Sequence, residues 1–342
     1  MNHNGNRWLV PSGRRVAPLL RLPLQPEMAG NLLSLARRPW SLAAACAGVA
    51  GGAYLQPGGM RLSHREIIIA RTAWNIGGYF PYAAHNPTAA LAARRYGGQE
   101  AIQNGPADPR WRPREAVLLR IVDELQQEFD LSERTRAAAA NHFTPSQIMN
   151  IAAQTGLYET VTMTFDSMGF IPSRTMWRWV RGGESAPIAQ MTTRGAGETR
   201  PRPRDSEPTR SGPPWLLTDP DLRARVAAAH PLLARLAPIG TRVASWTSAL
   251  SPADATRVMR RLDAAFEGKP TTAETCSRRI ELLHELVGDL HTHRFIPDET
   301  WSAATEFFTD RELIDLCALT GTYRTQHLIA RAAPEPLSRN RR

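Results

Sequence analysis

Lysine is almost absent from this chain of 342 residues: Lys269 stands alone, and the other 41 basic residues are arginines. So lopsided a choice reads as a coding bias rather than as a designed charge pattern. Cysteine is nearly as scarce, with Cys46, Cys276 and Cys317 far apart and no C-x-x-C. That excludes a disulfide scaffold and a clustered-thiolate metal site, and it points to a reducing compartment. Aromatic residues make up only 7% and alanine dominates the apolar set, which favours helices over a β-sandwich. Long apolar runs are missing as well. The stretch Leu42–Leu55 is too short and too glycine-rich to span a bilayer. Arg14-Arg15 resembles half of a twin-arginine signal, but Arg21 and two prolines break the apolar stretch behind it. The expectation is a cytoplasmic protein with no membrane partner.

The formal charge of +10 collects at the two ends, Met1–Trp40 and Arg331–Arg342. Positive ends attract phosphate without specificity. No finger, homeodomain or RNP-type motif accompanies them, so the sequence does not support nucleic acid as the partner. The span Gly182–Pro214 is polar and proline-rich and has almost no large apolar residue. It reads as a flexible linker between one unit over residues 1–181 and a second over 215–342.

The two units are related. Sliding the chain by 165 residues lays Ile121–Tyr158 on Leu286–Tyr323 without a gap, with 11 identities in 38 positions. The identities include Val122, Leu125, Phe143, Thr144, Thr155, Gly156 and Tyr158. Thr144-Pro-Ser-Gln147 and Thr309-Asp-Arg-Glu312 both read as capping boxes at helix starts. With no period-2 run longer than four residues, the fold class is all-α, with a duplicated helical unit. The recurrence of Tyr158 as Tyr323 favours a shared packing role for both.

The segment Ser63–His85 carries the chemistry. It reads as a helix, a Gly77-Gly78 break, and a second helix entered through Pro81. Arg65-Glu66, Arg71, Ala73-Trp74, Gly77, Tyr82-Ala83 and His85 together resemble the motif of the carboxymuconolactone decarboxylase and alkylhydroperoxidase D family. Asp108–Trp111, Asp123–Leu125, Phe143-Thr144 and Gly156-x-Tyr158 are similar to the family's later pattern. The resemblance covers roughly Arg15 to Pro172. It implies an alkylhydroperoxidase D-like helical bundle, a homo-oligomer, and sites near subunit boundaries.

One departure is decisive. The peroxidase members attack peroxide through a C-x-x-C-x-x-x-H arrangement, and registering that histidine on His85 places Gly78 and Pro81 at the cysteine positions. Neither forms a thiolate, so a thiol peroxidase is disfavoured. The remaining set suits proton transfer without redox. His85 is the acid–base group, and the resemblance places Glu66 beside it as orienting carboxylate. Tyr82, Arg71 and Trp74 are the substrate-binding candidates, with Arg71 a clamp for a carboxylate and Tyr82 a donor to an oxyanion. Decarboxylases of the family need no cofactor, so the expected activity is a cofactor-independent lyase or isomerase acting on a small carboxylated or carbonyl substrate. The alternative is a non-catalytic binding or scaffold protein on the same fold.

Each residue also has a structural reading. Ser63-x-x-Glu66 is itself a capping-box pattern, and Arg71 suits a buried ion pair. His85 precedes Asn86-Pro87 and suits a turn, while Tyr82 suits packing. His284, His291 and His293 do not share one helical face, so they read as a solvated surface rather than a metal site. Counting back 165 residues from Pro231 and Leu250 reaches Glu66 and His85, so the second unit has no equivalent pair and is expected to supply an interface.

Overall fold

The computed structural model describes residues 40–55, 59–168, 219–266 and 277–334. The expected linker at 182–214 and most of both basic ends lie outside them. Every regular element among the described residues is helical. The first group is α1 (Trp40–Leu55), α2 (Leu62–Ile76), α3 (Tyr79–Ala92), α4 (Gln99–Asn104), α5 (Pro113–Gln127), α6 (Glu133–Ala140) and α7 (Pro145–Ser167). The second is α8 (Pro220–Ala229), α9 (Pro231–Thr247), α10 (Pro252–Phe266), α11 (Arg278–His293), α12 (Asp298–Ala304) and α13 (Asp310–Ala332). No described helix is long and apolar enough to cross a membrane.

Local chemistry explains the boundaries. Both expected capping boxes form, Thr144 with Gln147 and Thr309 with Glu312. Gly77, at φ 69°, takes the left-handed turn that ends α2 and lets α3 fold back along it. Ser63 does not open α2: the helix begins at Leu62, with Arg61 at its N-cap. Glu66 is therefore free of the capping role that Ser63-x-x-Glu66 suggested.

α7 and α13 are buried over most of their length and cross antiparallel at the centre. Their threonines make this tolerable. Thr155, Thr160, Thr164 and Thr325 each donate to the carbonyl four residues back at 2.9 Å, which satisfies these four hydroxyls within their own helices. The crossing pairs positions 165 apart. Thr160 and Thr325 hydroxyls meet at 3.1 Å. A Cβ on Gly156 would lie 2.6 Å from Thr325 Cα, and one on Gly321 would lie 2.6 Å from Thr160 Cα. The same spacing separates the starts of α5 and α11, of α6 and α12, and of α7 and α13. It also separates Phe129 and Arg294, the two positive-φ residues other than glycine among those described.

Upstream the spacing changes. α1 and α9 pack antiparallel through Gly48 and Gly240, where a Cβ on Gly48 would come within 2.7 Å of Gly240 Cα. These partners are not 165 apart, because α3 and α4 fill Ile76–Pro113 while only Phe266–Arg278 joins α10 to α11. Counting back 165 residues to Glu66 and His85 therefore compares unrelated positions. The second group has too few residues at that point for a helix the length of α3.

Each core draws on both groups. One joins Ile68, Leu118 and Ile151 to Leu233 and Leu328. The other joins Leu42, Phe80 and Phe165 to Leu286, Trp301 and Leu316. Two mid-helix glycines should respond oppositely to substitution. Gly156→Ala forces backbone apart at the α7–α13 crossing and should cost about 1–3 kcal/mol. In Gly288→Ala the new Cβ would meet nothing closer than Arg261 at 3.7 Å. That variant should gain about 0.5–1 kcal/mol from helix propensity. Urea unfolding of the two variants checks the contrast, and equal shifts would contradict the close crossing.

Candidate active site

The α2–α3 hairpin brings Glu66 and His85 together. His85 Nδ1 lies 3.1 Å from Glu66 Oε2, and the two side chains are 13% and 15% exposed. Thr88, one turn after His85 on α3, donates to the same carboxylate oxygen at 2.5 Å. Burial alone would raise the Glu66 carboxyl. The bonds from His85 and Thr88, with the charge of His85, outweigh it and hold the group below its ordinary value. α3 runs on to Ala92, so His85 is a mid-helix residue and not a turn histidine.

The opposite ring nitrogen has a partner from α7. His85 Nε2 lies 3.1 Å from the Tyr158 hydroxyl, with the rings edge to face at 5.1 Å. Tyr158 in turn is hydrogen-bonded to Tyr54 of α1. The result is a four-membered chain, Glu66–His85–Tyr158–Tyr54, drawn from four helices. Desolvation raises both phenols above their usual range, so each carries its proton at neutral pH. The Arg65 guanidinium sits 4.7 Å from the Tyr54 ring, at the outer end of the chain.

Tyr158 thus belongs to the site and not only to packing. Its counterpart Tyr323 instead faces Ser245, hydroxyl to hydroxyl at 3.3 Å. The recurrence of the tyrosine concealed this difference, because the histidine it bonds stands on a helix without a counterpart among the described residues. Tyr54 carried no sequence signal, being one aromatic residue at the end of an alanine-rich helix.

The three substrate-binding candidates lie elsewhere. Arg71 grips Asp123 through two bonds of 2.8 Å and donates to the Ile102 and Gln103 carbonyls at 2.9 and 2.8 Å. Its guanidinium is thereby engaged in holding α2, α4 and α5 together, the structural alternative. The Tyr82 hydroxyl accepts from Gln103 Nε2 at 2.7 Å, and burial pushes it up to about 12. Trp74 is buried, its ring 5.6 Å from that of Tyr82. These residues form a packed unit on the α4 side of the hairpin, while His85 faces α7.

Two observations bear on thiol chemistry. A Cβ on Gly78 would lie 2.5 Å from Thr162 Oγ1, so this position is packed against any side chain. Cys46 of α1 is half-buried, and desolvation pushes its thiol up to about 12.

His291 also departs from the sequence expectation of a solvated surface. Its Nδ1 accepts from Arg324 at 2.9 Å, and its ring packs against Phe129 and Phe266. No family model matches the chain, and no curated protein or solved structure matches it.

Proposed function

We propose that this chain is an acid–base enzyme, a cofactor-independent lyase or isomerase acting on a small carboxylated or carbonyl substrate. The observation that carries the reading is the continuous hydrogen-bonded chain from Glu66 through His85 and Tyr158 to Tyr54. With Glu66 ionised, Nδ1–H of His85 donates to the carboxylate and Nε2 accepts the Tyr158 proton. A proton taken from substrate at Tyr54 then passes inward in two steps and leaves imidazolium stabilised by Glu66. Run outward, the same chain delivers a proton to the carbon that keeps the electron pair when carbon dioxide departs. Delivery to a different carbon of a dienolate gives isomerisation. Membership of the decarboxylase-like family is part of this proposal and rests on the motif residues between Arg65 and His85. The proposal also takes 215–342 as a second copy of the fold, which the spacing of α5–α7 and α11–α13 supports.

The test is a metabolite profile of a deletion strain complemented with wild type, Glu66→Gln or Tyr158→Phe. A compound that wild type clears should be cleared about 10²-fold or more slowly by either variant. The mass lost on conversion separates decarboxylation from isomerisation. Equal clearance by all three would overturn the proton chain as the source of the activity, and no compound cleared by wild type would favour a binding protein.

A further inference from the structure

We infer that the N-terminal ends of α2 and α5 form a second site, one that binds the phosphate group of a small molecule. The inference does not depend on the chemistry at His85, which faces the other side of α2. α2 and α5 run parallel, as the contacts His64–Glu115, Arg71–Asp123 and Asn75–Gln126 show in order along both helices. Their N-termini therefore lie side by side and their dipoles add. Neither end is satisfied by a side chain: the N-cap residues are Arg61 and Arg112, and neither makes a capping bond. Two sets of open backbone N–H groups meet there, the arrangement that receives oxyanions.

The cavity at this point has a volume of about 350 Å³. Arg95 and Arg114 join Arg61 and Arg112 in its wall, so four guanidiniums face one carboxylate, Glu115. Arg95 is 3.9 Å from Glu115, and Arg114 lies over the Phe143 ring at 5.1 Å. Arg61 and Arg112 have no ion-pair partner among the described residues. An excess of positive charge in a concave site calls for an anion with several oxygens.

The independent sign of a ligand is His64. It lines the cavity, only 5% of its surface is exposed, and its Nδ1 has no hydrogen-bond partner. Its Nε2 is held by Glu115 Oε1 at 3.4 Å. A buried ring nitrogen without a partner is costly unless something fills the place opposite it. A phosphate oxygen there would accept from Nδ1–H once the imidazole is protonated. The groups facing His64 are Glu115 and Arg114 on α5, Arg61 at the start of α2, and Arg95 and His142 across the cavity. Burial, and secondarily the charges of Arg114 and Arg61, keep the imidazole neutral in the empty site despite Glu115. Phosphate binding therefore takes up a proton and tightens as the pH falls.

Calorimetric titration of the full chain with inorganic phosphate and with pyrophosphate, at about pH 6 and about pH 8, tests this. Arg61→Ala and Arg112→Ala remove exposed side chains and leave the fold intact. Each should weaken binding about tenfold. His64→Gln should abolish the part of the pH dependence that exceeds phosphate's own ionisation. The inference fails if the double arginine variant binds as wild type does, or if His64→Gln keeps the full pH dependence. It fails equally if a short oligonucleotide binds while phosphate and pyrophosphate do not, since the cluster would then read a polymer backbone.

Discussion

Glu159→Gln should lower the stability of this protein by about 3–5 kcal/mol, the range expected when one member of a buried ion pair is removed. Glu159 and Arg324 are both fully buried, with bonds of 2.9 and 3.1 Å to one carboxylate oxygen. Arg294 lies 3.5 Å from the other oxygen, so a single carboxylate serves two guanidiniums. The Phe129 and Phe266 rings cover Arg324 at 4.8 and 5.6 Å and keep water away. Gln preserves the shape and the acceptor, so the loss isolates the charge. Adding Arg324→Met to Glu159→Gln should recover part of the deficit, because one uncompensated cation then disappears. A deficit below about 1 kcal/mol in urea unfolding would show that water reaches the pair.

The pH dependence has a definite sign. Burial alone would raise the Glu159 carboxyl, but the Arg324 and Arg294 charges outweigh it and hold the group below its ordinary value of 4.5. The stability it contributes is fully present above that ordinary value and is lost as the pH falls through the depressed one. The Gln variant should therefore be less sensitive to acid than wild type, although less stable at neutral pH.

The second large effect is chemical. His85→Ala should reduce turnover by about two to four powers of ten, the usual contribution of a positioned acid–base group. Helical content should be unchanged, since Ala is a better helix former at this mid-helix position. His85→Gln is the sharper variant. It can keep bonds to Glu66 and Tyr158 while losing the imidazole that would carry the proton, so activity retained by Gln and lost by Ala would assign His85 a positioning role.

How much of the site is legible in the sequence differs by residue. The pair Glu66–His85 was legible only through the resemblance carried by one short motif, and the α2–α3 hairpin does bring the two side chains within 3.1 Å. Arg71 was legible as a type but ambiguous in role: a clamp and a structural pair use the same guanidinium, and only Asp123 and two carbonyls distinguish them. Tyr54 and Tyr158 come from α1 and α7, far from the motif, and nothing local marks them. Arg61 and Arg112 were hidden by abundance, since two exposed arginines among 41 offer no contrast. Their meaning arises from two parallel helix ends placed side by side.

The fold divides in the same way. Alanine content, the two capping boxes and the 165-residue recurrence determined from sequence alone that the chain is helical and where α7 and α13 begin. These are properties of neighbours along the chain, and backbone sterics and hydrogen bonding decide them locally. Tertiary structure alone decided that Gly156 and Gly321 form a close crossing, and that matched positions carry opposite charges, Glu159 and Arg324, which neutralise each other. It also decided that the threonine-rich faces of α7 and α13 are buried. Apolar periodicity reports which face avoids water only when polar groups avoid burial. Here threonines bond their own helix, and a buried arginine finds its carboxylate 165 residues away, so the innermost helices look polar in sequence.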